Sequence, residues 1–273
     1  MSALYPKTVR VVIGPAGGQG VEIEGLKIKA SVDRTKGSKP DKAKIEIYNL
    51  GDALARAVED TSARNVIQLF AGFAGTAPRI FAGEIRKGRA RTTTQGTDMI
   101  TRIEAKDGGT AYRSARLTKS WGRGVRMSDV VAEVGRAFGV PISLPAGVAD
   151  VSVTQGLTVN GPARETLDRL ARSMGFEWGF EDGKIVTTTP GGDTGQEAPR
   201  LTYETGLISL ERTDKGINAV ALVSPRIRPR RIVSVRDGAQ GVDGFYLVTK
   251  TKDDIDSREG PYFTAFEARE IRT

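Results

Sequence analysis

The chain has 273 residues, no cysteine, no histidine and a formal net charge of +8. Without thiolate or imidazole there is no disulfide framework, no Ser-His-Asp or Cys-His catalysis and no common zinc site. Any metal would need oxygen ligands, and proton transfer at neutral pH would need a perturbed Glu, Asp or Lys.

This length points to two or three domains, and 33 glycines suit short strands and tight turns better than a helical bundle. No run of about 18 apolar residues suggests a membrane anchor. The opening MSALYPKTVRVV has no apolar leader, so no secretory signal is expected.

In chain order, Thr8–Ile13 is β-rich and leads into GPAGGQG at Gly14–Gly20. That loop lacks a Gly-Lys-Ser/Thr ending, and a strand follows it where a phosphate loop needs a helix, so a hairpin connection is expected. Val21–Val32 is apolar at 21 and 23, then at 26, 28, 30 and 32. The change of parity predicts a bulge at Gly25. Lys36–Asp41 reads as a loop. KIEIYNL, Lys44–Leu50, alternates Ile45 and Ile47 with Glu46 and Tyr48 and stops at Asn49. Asp52–Arg64 has a weak helical rhythm through Leu54, Ala57 and Val58. Strands are expected at Asn65–Phe73, Arg79–Arg86 and Thr101–Ala105, with Gly96 as the positive-φ residue of the last turn. Asp107-Gly108-Gly109 closes a meander long enough for a barrel or sandwich.

The pattern then changes. Ser128 is the expected N-cap of a helix whose apolar face is Val130, Val131, Val134 and Phe138, stopped by Gly139 and Pro141. A second helix starts at Pro162, runs through Leu167, Leu170, Ala171 and Met174, and ends at Gly175; Arg164, Glu165, Asp168, Arg169 and Arg172 lie at ion-pair spacings. An Asp182-Gly183 hairpin joins Phe176–Phe180 to Lys184–Thr189. Pro190–Pro199 has linker composition. Strands return at Leu207–Arg212, Asn218–Val223, Arg231–Val235, Gly244–Thr251 and Tyr262–Glu270.

The expected fold class is therefore mainly β with an α+β insertion. The expected domains are 1–112 and 199–273, both β, flanking a small two-helix module at 113–198.

Charge is uneven. Residues 1–112 carry 18 Lys and Arg against 12 Asp and Glu, a local excess of six, while the rest is nearly balanced. The excess centres on Lys36, Lys39, Lys42, Lys44 and on Arg86, Lys87, Arg89 and Arg91. It could attract nucleic acid or an acidic protein surface, and solvated strand faces explain it as well. RIRPRR, Arg226–Arg231, would place Arg226, Arg228 and Arg230 on one side if extended, with Pro225 and Pro229 barring a central strand. Arg226, Arg228, Arg230, Arg231, Arg86, Lys87 and Arg89 are the partner-contact candidates. KDDIDSREG, with Asp253, Asp254, Asp256 and Glu259, lacks calcium-loop spacing and reads as a polar hairpin. Glu177 and Glu181 could be imagined as glycosidase carboxylates, but their alternation beside Phe176, Trp178 and Phe180 reads as a strand's polar face. No catalytic, cofactor or metal residues are expected.

The order KIEIYNL, VIQLFAGF, IFAGEI, then Asp107-Gly108 ahead of Tyr112, resembles the start of baseplate hub proteins of contractile-tailed bacteriophages. The later FGVP, ARETLDRLARSMGFEW and DGKIV segments continue the resemblance, which extends to the base of type VI secretion spikes. No lysozyme domain or β-helical spike is visible. The resemblance implies two tail-tube-like β-barrel domains and a homotrimer that adapts a hexameric tail tube protein to a trimeric central spike protein. Other baseplate proteins would surround it, and genomic DNA would pass through its channel without specific binding. It further implies a structural, non-enzymatic component of the virion, made in the host cytoplasm. The family's conduits are often acidic, whereas this chain is basic. A nucleic-acid-binding protein and a tail-associated cell-wall hydrolase are the alternatives, although no helix-turn-helix, zinc finger or aromatic RNA platform is present.

Overall fold

The computed structural model describes residues 6–60 and 65–271. The first five residues, and the last four of the predicted Asp52–Arg64 helix, lie outside them. The chain divides into two compact units: Met1–Lys36, Asp41–Asp107 and Gln196–Thr273 form one, and Gly37–Pro40 with Gly108–Gly195 form the other.

In the first unit the strands are β1 (Lys7–Pro15), β2 (Val21–Ile23), β3 (Ile28–Thr35) and β4 (Lys42–Tyr48). Helix α1 (Asp52–Glu59) follows, then β5 (Asn65–Phe73), β6 (Arg79–Gln95) and β7 (Asp98–Lys106). The second unit holds α2 (Gly109–Ser114), β8 (Arg116–Trp121), α3 (Met127–Phe138), β9 (Leu157–Pro162), α4 (Ala163–Met174), β10 (Glu177–Glu181) and β11 (Lys184–Thr188). The first unit resumes with β12 (Arg200–Leu201), β13 (Leu207–Thr213), β14 (Gly216–Leu222), β15 (Ile232–Asp237), β16 (Val242–Asp256) and β17 (Tyr262–Glu270). The fold is mainly β with an α+β insertion, as expected; short α2, β8, β9 and β12 were not foreseen.

Eleven strands of the first unit run in the order β13-β14-β17-β16-β3-β4-β7-β6-β5-β1-β2, with β15 branching from β16 and β12 from β15. Strands from the two ends of the chain thus share one sheet, joined where β3 pairs antiparallel with β16 from Lys250↔Thr35 to Asp256↔Lys29. Period-two alternation explains which face is dry. Ile28, Ala30 and Val32 of β3, Ala43, Ile45 and Ile47 of β4, and Ile103 and Ala105 of β7 are all buried on one side. At roughly 1.5–3 kcal/mol per large aliphatic side chain, this face carries much of the driving force for the sheet. A second apolar cluster, including Ile217, Val233, Val235, Val248 and Phe266, fills the C-terminal strands.

Two motif glycines have steric reasons. A Cβ on Gly72 would lie 2.0 Å from the Thr76 carbonyl oxygen, and one on Gly83 would lie 2.8 Å from that of Lys106. No side chain fits either gap. The predicted bulge at Gly25 is instead a corner. With φ +78°, Gly25 separates β2, which pairs with β1, from β3, which pairs with β4 and β16. A parity change arises just as well when a strand ends and another begins. Gly14–Gly20 is the expected hairpin connection, and Gly96, φ +63°, turns β6 into β7.

Tyr262 ties strands distant in sequence. Its hydroxyl accepts from the Gly72 N–H at 2.7 Å and faces the Gly72 and Thr8 carbonyls at 2.7 and 3.0 Å. Burial pushes this hydroxyl up to about 12, against the lowering pull of the Gly72 N–H. A raised folded-state value means that stability is complete below about pH 10 and declines as pH rises towards 12. Tyr262→Phe is expected to lose roughly 1–3 kcal/mol at neutral pH and to lack this component of the alkaline decline. Urea midpoints at neutral and alkaline pH measure both. Next to it, the Lys7 ammonium donates to the Arg258 and Gly260 carbonyls at 2.8 and 2.9 Å and to that of Asp256 at 3.3 Å, holding β1 against the β16–β17 turn.

In the second unit α3 and α4 end as predicted, at Gly139 and Gly175, both left-handed. Ser128 is not the N-cap. It lies inside the first turn, and Asp150 caps from a distance, accepting from the Ser128 N–H at 2.9 Å and hydroxyl at 2.8 Å. Those bonds, the N–H first, hold the Asp150 carboxyl below its ordinary value. Phe176, Trp178 and Phe180 are buried together, as their parity predicted. Asp168, expected among the ion pairs of α4, instead accepts from the Trp178 Nε1–H at 2.9 Å. Asp182 and Gly183, φ +52° and +80°, make the expected two-residue turn.

Candidate interaction surface

Between Ile85↔Ala105 and Ala90↔Ile103 the β6–β7 register slips, so four residues of β6 stand opposite Glu104 alone. Arg86, Lys87, Gly88 and Arg89 therefore leave the ladder as a wide bulge, turned by Gly88 at φ +68°. Glu104 holds its base, 3.2 Å from Arg86 and 3.9 Å from Arg89, and Lys87 is exposed. Three of the predicted contact residues are thus brought together on one protrusion.

The arginines of RIRPRR do not line up along an extended arm. The segment makes two turns, with Arg230 at φ +64° and its N–H donating to the Val248 carbonyl at 3.0 Å. Arg228 and Arg230 are buried, donating to the carbonyls of Ile80 and Lys36 respectively. Only Arg226 of the set is exposed, 3.1 Å from Glu197; half-buried Arg231 donates to the Pro225 carbonyl. Backbone carbonyls within reach make burial of these guanidinium groups feasible. The expectation that Arg226, Arg228 and Arg230 share one side of an extended segment is corrected accordingly.

KDDIDSREG is likewise more than a polar hairpin. Asp253 and Asp254 lie inside β16, and Asp253 is 2% exposed. One of its oxygens sits 2.6 Å from the Arg34 guanidinium, and the other accepts from the Thr264 hydroxyl at 2.6 Å. Arg34 also donates to the Ile80 carbonyl at 2.6 Å, which Arg228 reaches from the other side at 3.0 Å. This buried polar group braces the seam between β3 and β16. Nothing in local sequence announces it, because Arg34 and Asp253 are 219 positions apart.

The opposite face of the same strands is solvated and ordered by register. Across β17, β16, β3, β4 and β7, Glu267 stands by Lys250, Lys252 by Asp33, Asp33 by Lys42, and Lys44 by Glu104. Ion pairs stitch this face: Lys250–Glu267, Lys252–Asp254 and Arg102–Glu46, each at 2.8 Å. Glu267 and Asp254, each hydrogen-bonded to its lysine, hold Lys250 and Lys252 above their ordinary values. Two concavities open on the face, one of about 520 Å³ between β13 and β3 and one of about 300 Å³ beside Lys29 and Asp254. Among the described residues no three Asp or Glu converge as metal ligands, and no helix is long and apolar enough to cross a membrane.

No protein-family model matches the chain, and no curated protein matches it in sequence. Solved structures do resemble it. The 43 kDa tail protein of prophage MuSo2 from Shewanella oneidensis gives a TM-score of 0.64 at 10% identity, over 96% of this chain and 98% of that one. The tail protein from Neisseria meningitidis MC58 gives 0.62 at 12%, over 96% of each chain. An Escherichia coli component of the type VI secretion system, described as similar to the T4 bacteriophage tail proteins gp27 and gp5, gives 0.61 at 11%. That match covers 99% of this chain and 76% of the other. The fold is shared from end to end, at identities that speak for the fold alone.

Proposed function

We propose that the chain is a structural hub protein of a contractile phage tail baseplate. In this reading three copies form a ring that adapts a hexameric tail tube protein to a trimeric central spike protein, and the ring lines the DNA exit channel. The observation that carries it is the end-to-end likeness to two tail proteins, in which both chains are covered almost completely. A hub needs no catalytic group, and the sequence offers no histidine or cysteine. We further propose the partition into tail-tube-like β domains at 1–112 and 199–273 around a module at 113–198. One apolar cluster drawn mostly from 1–112, with Val223, Ile255 and Tyr262 added, a second confined to 199–273 and a third in the insertion support it. The protein would belong to the virion, with Arg86, Lys87, Arg89 and Arg226 presented to neighbouring baseplate proteins, half-buried Arg231 beside them held by the Pro225 carbonyl, and Arg228 and Arg230 serving the interior.

Light scattering at low and moderate salt, followed by electron microscopy, tests the ring. The expected mass is three times the 29.3 kDa of one chain, with an open centre in projection. A monomer that forms no ring even with the tube protein supplied would overturn the reading.

A further inference from the structure

In the sheet order β3, β4, β7, β6 and β5 stand between β16 and β1, yet Lys7 of β1 reaches the turn that joins β16 to β17. Its ammonium has three N–H donors and meets three backbone carbonyls, of Arg258 at 2.8 Å, Gly260 at 2.9 Å and Asp256 at 3.3 Å. The Tyr262 ring faces it, with the centroid 5.2 Å away, within range of a cation–π attraction. The turn has bonds of its own that hold this shape. The Asp256 N–H donates to the Pro261 carbonyl at 2.7 Å, and the Asp256 carboxylate accepts from the Arg258 N–H at 2.8 Å. The Ser257 N–H donates to the Ile28 carbonyl, and its hydroxyl accepts from the Ile28 N–H, each at 2.9 Å. Gly260 is closed in as well, since a Cβ there would lie 2.4 Å from the Asp256 carboxylate. Convergent carbonyls fixed in this way form a preorganised receptor, which loses little freedom when a cation arrives.

Distances and donor set decide which cation fits. Calcium takes oxygens at about 2.3–2.6 Å, carboxylates among them, closer than these carbonyls stand to the Lys7 Nζ. The Asp256 carboxylate is engaged by the Arg258 N–H and lies 3.7 Å from the Lys29 ammonium. Neutral carbonyls at N–H···O distance suit a singly charged group that carries N–H donors. We propose that the Asp256–Gly260 turn is a binding site for primary ammonium groups, and that Lys7 is its tethered ligand in this chain. No ladder joins β1 to β16 or β17 among the described residues, so filling of this site is what docks β1 on the turn, beside the bond from the Tyr262 hydroxyl to the Thr8 carbonyl. The tether presents Lys7 at high effective concentration, and free amines compete poorly with it in the wild type. The inference goes beyond the hub reading and does not depend on it.

The test is chemical rescue of the full-length Lys7→Ala variant, in which loss of the side chain opens the site to a free amine. Urea unfolding is followed without added salt, with methylammonium chloride and with tetramethylammonium chloride, each salt at about 0.5 M. Tetramethylammonium carries the same charge and has no N–H. Without either salt the urea midpoint of the variant is expected to fall by about 0.5–1 M, as charge-assisted hydrogen bonds are lost. Methylammonium is expected to restore at least about half of that shift, and tetramethylammonium none beyond its effect on the wild type. Should the variant not stay folded, its refolding yield in the two salts reads the same selectivity. The double variant Lys7→Ala/Gly260→Ala, with its Cβ crowding Asp256, is expected to lose the rescue. No loss in Lys7→Ala, equal recovery in the two salts, a wild-type gain from methylammonium as large as the variant's, or rescue that persists in the double variant would each overturn the proposal.

Discussion

Asp253→Ala is expected to cost the fold about 3–5 kcal/mol, the largest effect of any polar substitution in the β unit. The cost comes from what remains. Arg34 is 4% exposed, and without Asp253 its guanidinium keeps the Ile80 carbonyl and the distant Asp41 carboxylate, 3.9 Å from its Nε. Thr264 loses its acceptor in the same step. Equilibrium urea unfolding of Asp253→Ala, Asp253→Asn and the double variant Arg34→Met/Asp253→Met separates the contributions. Asn keeps the shape and the Thr264 bond and should lose less. The double variant removes both charges and should recover part of the loss, since an apolar pair can replace a buried ion pair at little cost. A loss under about 1 kcal/mol for the alanine variant would mean that water reaches Arg34 and that the brace is not a brace.

Trp178→Ala is expected to cost about 3–5 kcal/mol in the insertion. The indole is 3% exposed and lies 6.0 Å, centre to centre, from both Phe138 and Phe180. It also joins β10 to α4 through Asp168. Trp178→Phe should retain much of the packing and lose mainly that hydrogen bond, so its deficit should be near 1–2 kcal/mol. Near-ultraviolet circular dichroism during denaturant unfolding follows the aromatic cluster directly. Equal losses for the two variants would show that the hydrogen bond, not the ring volume, matters.

What was legible in the sequence was whatever depends on neighbours. Alternation located the buried Ile45 and Ile47, whereas the crowding at Gly72 and Gly83 depends on the Thr76 and Lys106 backbone and is not legible there. The parity of Phe176, Trp178 and Phe180 identified the core of the insertion. Features fixed by distant partners were invisible. Ser128 lost its capping role to an aspartate 22 positions later, and Asp253 looked like turn chemistry until β3 supplied Arg34. The arginines of RIRPRR appeared exposed because composition counts charges without seeing the carbonyls waiting for them. Bulge geometry gathered Arg86, Lys87 and Arg89 into one protrusion, and only the position of Gly88 could have hinted at it.

The pairing of β3 with β16 also sets an order of events during synthesis. Thr35 must wait for Lys250 before that ladder can close, so the sheet is assembled from contacts of very high sequence separation. Loop closure over such a span is slow, and folding of the β unit should proceed on the millisecond-to-second scale after the ribosome has released most of the chain. Gly108–Gly195 is continuous in sequence and can reach its native contacts earlier, while β3 and its neighbours remain an open edge. That interval exposes unpaired backbone on several copies growing along one messenger, where premature strand exchange competes with completion of each sheet.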